Sequence, residues 1–465
     1  MRVYALYLVV AGLSIYAWKD WFKSLCGLIL LMAVIEHEDM PKSIMGIQGL
    51  NPWNILMFFI LLAWAASRRR EGLVWDMPRP VTVLLLLYLG VILVGFARMM
   101  ADRSHIEDMS VTSLVSEELI NTVKWTIPGL LLFDGCRSKQ QLTLAVCCLL
   151  GLYLLVALQV ARQLPIDCAM GGMQGVQLLR LKLVKGVGYS SCDMSTMLAG
   201  ASWAMLAMVA VCRTKWQKVL VVCAAALTAY SQALTGGRAG YAAWGVTGLV
   251  MGLVKAEWRK YLLLAPVVPI TLYMLFPGAA ERALQGVGEI NVAGEAYVNN
   301  DEVSSGRASV WPYVVDKIGE SPGVGYGCLA MRRTGLTDFL EAQIGMGFFH
   351  PHNAYLEWLL DNGVVGLVPV AAFFGICLVW SAVLFRNTNS PWYAAVGGIA
   401  LSLVLAQLLG AMGSQHFYPR VSTTGMWASA LLAIRLRTVT LCAKDCRAAS
   451  LASVRQGVVS YPWNI

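Results

Sequence analysis

Apolar residues in this chain gather in long uninterrupted runs, not in the alternating pattern of a half-buried strand. The runs fall near residues 3–18, 22–36, 53–67, 81–98, 122–134, 141–160, 194–212, 217–235, 241–254, 261–277, 354–384, 392–411 and 421–435. A helix crossing a bilayer needs about 20 such residues, within a range of roughly 17–25. Some runs are shorter, so several spans must be tilted, broken or extended by their flanks. The expected fold class is therefore all-α, a polytopic transmembrane helical bundle of about 12–13 spans. One large, partly helical polar loop precedes the last spans. The expected boundaries are an N-terminal bundle at 1–277, the polar loop at 278–353, C-terminal transmembrane helices at 354–435 and a tail at 436–465.

Composition agrees with the pattern. The chain is 58% hydrophobic and 14% charged, with a mean hydropathy of +0.62, whereas a soluble domain carries about 25% charged residues. The net charge of +9 does not indicate nucleic acid, because the basic residues sit in short runs between apolar spans and are not interleaved with aromatics. Twelve cysteines form no framework, since most lie inside apolar runs, where they act as small hydrophobes. Cys168 and Cys192 are one pair that could bond. The first apolar run resembles a signal peptide in outline, but no small-x-small cleavage site follows it, so it is expected to stay as a membrane segment.

Charge sets the expected orientation. Arg68-Arg69-Arg70 with Arg79, Arg137-Ser138-Lys139, Arg213 to Lys218, Lys255 to Lys260 and the tail from Arg435 are basic. They alternate so as to share one face, the cytoplasmic one by the positive-inside bias. The opposite face then carries 37–50, 99–120, 161–190, 236–240, 278–353 and 412–420. The loop 278–353 holds nine acidic and five basic residues. Residues 161–190 break the bias with Arg162, Arg180, Lys182 and Lys185. Either those cations bind an anion at the outer surface or one loop defies a statistical rule.

Candidate chemistry collects on that outer face. His350-Pro351-His352-Asn353 places two of five histidines where the polar loop meets the next span, and imidazole is the side chain that titrates nearest neutrality. The pair reads as a catalytic base, a structural hydrogen-bonding pair or a metal pair; no partnered ligand motif stands nearby, which weakens the last. Asn353 is the expected start of a helix, whose N-terminus disfavours protonated histidine. Glu357 and Asp361 follow on that helix and could orient the base or an acceptor. Arg238, in Gly236-Gly237-Arg238-Ala239-Gly240, and Arg307, in Ser305-Gly306-Arg307-Ala308, each stand among small residues. A guanidinium suits bidentate phosphate recognition; the plain alternatives are a snorkelling helix-end arginine and a solvated loop charge. Arg307 is expected to open an amphipathic helix through Ile318, held at the interface by Trp311 and Tyr313 and closed by the turn Ser321-Pro322-Gly323-Val324-Gly325-Tyr326-Gly327. Asp193 is expected to cap the following span. His416 is a weaker candidate, and His37 and His105 have no evident partner.

These residues together resemble the O-antigen ligase and O-antigen polymerase superfamily of bacterial envelope glycosyltransferases. The resemblance runs from about Arg180 to Gly366. It is carried by His352-Asn353 with Gly363 and Gly366 after it, by Arg307, Trp311 and Pro322-Gly323-Val324-Gly325, by Gly236-Gly237-Arg238-Ala239-Gly240, and by Lys185-Gly186 through Asp193, where Asp193 stands in place of a common Asn.

The resemblance implies transfer of a glycan from undecaprenyl diphosphate to an acceptor hydroxyl, with inversion, at the periplasmic face of a bacterial inner membrane. No cofactor and no metal are implied. His352, helped by His350, would take the acceptor proton, with Glu357 and Asn353 in support. Arg238 and Arg307, with Arg180, Lys182 or Lys185, would hold the donor diphosphate. The expected partners are the lipid-linked donor, a glycan, lipid or protein acceptor, and membrane lipids, with no nucleic acid. Within the superfamily the alternatives are an O-antigen or exopolysaccharide polymerase and a protein O-oligosaccharyltransferase. A flippase for lipid-linked glycans would use the arginines without a base, and a non-catalytic scaffold would use neither.

Overall fold

The computed structural model describes residues 2–44, 46–72, 74–163, 182–262, 274, 306–345, 347–413 and 417–452. The chain is all-α. The only strand pairing among the described residues is a short antiparallel ribbon of Ser43–Ile44 and Ile47–Gln48. The main helices are α1 (Arg2–Ala17), α2 (Trp21–Leu31), α3 (Pro52–Arg70), α4 (Arg79–Ala101), α5 (Ile127–Gly135), α6 (Lys139–Gln163), α7 (Ser191–Ala207), α8 (Lys215–Leu234) and α9 (Arg238–Val254). They continue as α10 (Arg307–Glu320), α11 (Leu336–Ile344), α12 (Ala354–Phe385), α13 (Pro391–Gly410) and α14 (Thr424–Ala452).

Six helical stretches among the described residues are long and apolar enough to cross a membrane: α4, α6, α7 with its last turn, α8, α12 and α13 with its last turn. The expectation of about 12–13 spans counted every apolar run. Several make shorter helices, such as the 11 residues of α2. Others carry charge into the helix, as α3 does with Arg68, Arg69 and Arg70 in its last turn.

α7 and α13 form the centre, with 72% and 78% of their apolar windows buried. They pack through small residues: Gly200 of α7 lies against the backbone of Ser402 and Leu403. Such positions let helices approach closely where lipid provides no hydrophobic drive. The outward rows of α4 (Val83, Leu86, Leu87, Val94) and α12 (Val364, Val365, Val368) are exposed and apolar, as side chains facing acyl chains would be.

At one end three of the basic segments meet, those of Arg68, Arg137 and Arg435. Asp134 is buried and takes Arg68 at 2.9 Å, Arg137 at 3.3 Å and the Trp64 indole at 2.8 Å. Asp76 takes Arg137 at 2.9 Å and Arg435 at 2.6 Å. At the opposite end α4 holds the polar loop. Arg98 donates to the Val324 and Gly325 carbonyls, and Arg333 pairs with Asp102 at 3.0 Å. His37 and His105 do have partners, Asp39 and Asp338 respectively.

α12 is broken at Gly363, whose φ of 61° and ψ of −171° interrupt the helix. The turn before α11 fills the break by main-chain bonding. Tyr326 N donates to Leu360 O at 2.9 Å, Gly327 N to Asp361 O at 2.6 Å, Val364 N to Pro322 O at 2.9 Å and Val365 N to Gly323 O at 3.0 Å. Non-helical backbone at this depth survives only where protein satisfies its polar groups. The glycines supply the positive φ and the close approach.

Candidate functional site

α10 and α12 set the frame of the site. Gly306, at φ 78°, turns the chain so that Arg307 is the first residue of α10. This helix runs to Glu320, close to the expected end. Its Trp311 does not act as a free interfacial anchor, because the indole donates to Pro351 O at 2.9 Å and ties α10 to the histidine turn. Asn353 caps α12: its side chain accepts from Tyr355 N at 3.0 Å and Leu356 N at 3.4 Å.

The cap leaves His352 in the left-handed region at φ 51°, a conformation uncommon for a residue with a Cβ. The His350 and His352 rings stand 4.0 Å apart between centroids, tilted by 70°, and Phe348 contacts His352 edge-on at 5.6 Å. His350 Nδ1 is buried without a hydrogen-bond partner among the described residues. Burial holds His350 down at about 3, helped by His352, Arg420 and Arg307. Burial and then Arg307 hold His352 at about 4. Both rings are therefore neutral at pH 7 and carry a free lone pair.

Arg238 and Arg307 approach one junction from different helices. Each is the first residue of its helix, after Gly237 and Gly306 respectively. Arg307 Nη2 donates to Gly413 O at 3.3 Å. A Cβ added to Gly413 would lie 3.0 Å from the Ala239 Cβ and 3.6 Å from Arg307 Nη1. Two helix N-termini, each bearing an arginine, thus meet at Gly413. The combination of oriented amides, dipole and guanidinium favours an anion. The glycine turn ahead of α9 is also required by packing, since Gly237 and Gly240 lie directly on Ser195 of α7, whose hydroxyl donates to Gly237 O at 2.9 Å.

Other sequence candidates lie elsewhere. Lys182 and Lys185 are exposed on a short helix at 182–187. Arg162 lines a separate 590 Å³ cavity with His37 and Gly186. Arg180, Cys168 and His416 lie outside the described residues, and with them the Cys168–Cys192 pairing. Asp193 does not cap α7: Ser190 does, accepting from Asp193 N at 3.0 Å, and Asp193 accepts the Ser190 hydroxyl at 2.8 Å in return.

Beside the histidines opens a cavity of 780 Å³ that sequence reasoning did not foresee. His350 and Pro351 form part of its wall, with Glu118, Lys124, Glu357 and Arg420 around it. Glu357 therefore faces a cavity next to His350. Asp361, one turn on, is engaged structurally: Oδ1 accepts from Ala330 N at 3.2 Å and Oδ2 from the Tyr418 hydroxyl at 2.7 Å. The sequence offered two signals, Glu357 as a candidate support on α12 and Arg420, a cation just before α14.

Apolar helices packed through small residues, with polar groups gathered at their ends, define a multi-pass membrane protein. Residues 223–371 match the family model for O-antigen ligase. A protein of Rickettsia conorii named as a polysaccharide ligase is 24% identical over 159 residues, 33% of this chain and 36% of that protein. The chain thus spans about a third of the length of this relative. Residues 223–371 are thus similar to an O-antigen ligase domain, as the resemblance of the motifs implied. The matched segment begins in α8 and ends in α12, so it includes Arg238, Arg307, both histidines and Gly363 and leaves out Lys182 and Lys185.

Proposed function

We propose that the protein is a membrane glycosyltransferase of the O-antigen ligase type. It transfers a glycan from undecaprenyl diphosphate to an acceptor hydroxyl at the periplasmic face of the inner membrane. The observation that carries this reading is the meeting of two arginine-headed helix N-termini at Gly413, with Arg307 also acting electrostatically on the His350–His352 pair.

In the reaction the acceptor oxygen forms a bond to the anomeric carbon. The bond from that carbon to the diphosphate oxygen breaks and its electron pair leaves with the lipid diphosphate. Displacement in one step inverts the anomeric centre. The acceptor proton passes to His352, whose neutral ring has a lone pair to receive it, with His350 beside it. Arg238 and Arg307 meet the growing charge of the leaving group, and fixed donors in a water-poor site are worth more than mobile ones in water. The diphosphate would also offset Arg307, one of the groups that hold the histidines down, so donor binding makes the base stronger as it is needed. Glu357 supports from the cavity wall and Asn353 holds the turn. In this reading the arginines do the work of a metal, and Lys182, Lys185 and Arg180 are outer helpers that draw the anionic donor to the surface.

The test is glycan transfer by purified protein in detergent, with undecaprenyl-diphosphate oligosaccharide, mixed acceptors and EDTA. Product from wild type and none from His352→Ala is the expected result, and the acceptor consumed separates ligase, polymerase and protein glycosylation. Equal product from both would remove His352 as the base. Donor bound without any transfer would favour a lipid-linked glycan transporter.

A further inference from the structure

The first turns of α7 form a polar floor beneath the arginine turn. Ser195 and Thr196 of α7 and Gln232 of α8 are all buried. Gln232 Nε2 donates to Ser195 Oγ at 3.3 Å, and that hydroxyl donates to Gly237 O at 2.9 Å. The fit is close: a Cβ on Gly237 would lie 2.5 Å from Ser195 Cβ, and one on Gly240 would lie 1.9 Å from Ser195 Oγ. Thr196 lies against Gly410, where an added Cβ would stand 2.4 Å from its Cγ2. Gly410 ends α13, three residues before Gly413, whose carbonyl accepts from Arg307. Two adjacent residues of α7 therefore underlie the approaches to both arginines. All of α7 lies outside the matched segment 223–371.

The Ser195 bond fixes more than a helix contact. A peptide unit is planar and trans, so the Gly237 carbonyl and the Arg238 N–H point to opposite sides of one plane. Holding the oxygen sets the direction in which the chain enters Arg238. Gly236, at φ 66°, and Gly237 place few steric limits on that plane. Gly240 N at 3.0 Å and Tyr241 N at 3.3 Å also donate to Gly237 O, but both belong to α9 and move with it. Ser195 ties the same oxygen to α7, at the centre of the bundle. Close packing against the two glycines requires a small residue at 195, and alanine would satisfy it. The hydroxyl adds only the bond to Gly237 O, and Gln232 occupies its acceptor side so that its proton is directed there.

We infer that Ser195 is the positioning residue of Arg238. Its hydroxyl, held by Gln232, fixes the Gly237–Arg238 peptide against α7 and so holds the guanidinium where it meets the diphosphate. The inference rests on the transferase reading above only for the choice of a diphosphate as the ligand of Arg238. The plain alternative is a hydroxyl that ties two membrane helices together and acts on stability alone.

A double-mutant cycle separates the two. The probe is farnesyl diphosphate, titrated calorimetrically into the full chain in detergent. The proteins are wild type, Ser195→Ala, Arg238→Ala and the double variant, with Gln232→Met, alone and with Arg238→Ala, as a second pair should Ser195→Ala fail to fold. Wild type should bind more tightly than Arg238→Ala. Ser195→Ala should weaken binding by roughly three- to tenfold, the size of one neutral hydrogen bond. In the Arg238→Ala background the same change should cost less than about twofold, the ordinary error of additivity. A stability role would instead weaken binding alike in both backgrounds. Equal losses in both, no loss in either, or wild-type binding no tighter than that of Arg238→Ala would each overturn the inference. If the transfer assay fails while this coupling holds, the transferase reading falls and the positioning of Arg238 by Ser195 stands.

Discussion

Gly363 of α12 lies so close to Gly323 of the preceding turn that a Cβ on Gly363 would overlap the Gly323 carbonyl. The contact joins the break in α12 to the polar loop, and Glu357 and Asp361 lie six and two residues before it.

Gly363→Ala should therefore be severe. It meets both an occupied space and a φ of 61°, and backbone strain in such regions costs of order 1–3 kcal/mol before any clash. We expect a lower melting temperature in detergent and loss of transfer. Gly375→Ala, on the same helix, is the control: nothing lies within 4 Å of its added Cβ, and Gly to Ala inside a helix is favourable by roughly 0.5–1 kcal/mol. Equal melting temperatures for the two variants would refute the account of the break.

Asn353→Ala removes the cap of α12 at the histidine turn. Loss of such a cap costs about 0.5–2 kcal/mol, and His352 would lose the geometry that holds its φ at 51°. We expect a modest fall in melting temperature and a larger fall in kcat. Asn353→Asp, which still caps, should recover stability. Failure of the aspartate to do so would mean that the amide serves another purpose.

Arg238→Ala and Arg307→Ala should weaken donor use. A charge-assisted contact to diphosphate is worth about 1.5–3 kcal/mol, or roughly 10–100-fold. The loss should appear in kcat/KM for the donor and leave the acceptor KM near wild type. Arg238→Lys should recover only part, because an ammonium is a point charge where the guanidinium is a fork. Full recovery by lysine would show that charge alone suffices there.

Acid should act on the enzyme later than an ordinary histidine predicts. His350 lies at about 3 and His352 at about 4, against about 6.5 for a free ring. The free-enzyme profile of kcat/KM should stay level from about pH 8 down to about pH 5 and fall only toward pH 4. For stability the sign is fixed by which state takes up protons. The unfolded histidines bind protons below about pH 6.5 and the folded ones do not, so their contribution is complete above about 6.5 and is lost as pH falls toward 4. An acid limb in kcat/KM centred near 6.5 would show that the rings are not desolvated as described.

Hydropathy alone determined that this chain is a helical membrane protein, because lipid-compatible helices demand long apolar runs whatever their partners. Charge placement foretold that Arg68, Arg137 and Arg435 share an end, where they meet at Asp76 and Asp134. Local grammar was enough for the helix starts at Arg307 and near Asn353 and for the turn of glycines before α11, since each depends on a few adjacent residues. Which runs make long apolar helices was decided by the structure, because a run of apolar residues does not say where its helix breaks or ends in charge. Nor could sequence show that Pro322 and Gly323 would bond to Val364 and Val365 inside a broken helix, since those bonds join separate elements. The cavity depended on tertiary structure most of all. Its carboxylates and cations come from Glu118, Lys124, Glu357 and Arg420, which lie on helices and loops far apart in the chain. Glu357 alone read as a possible support, and only packing the helix ends together turned all four into a wall beside His350.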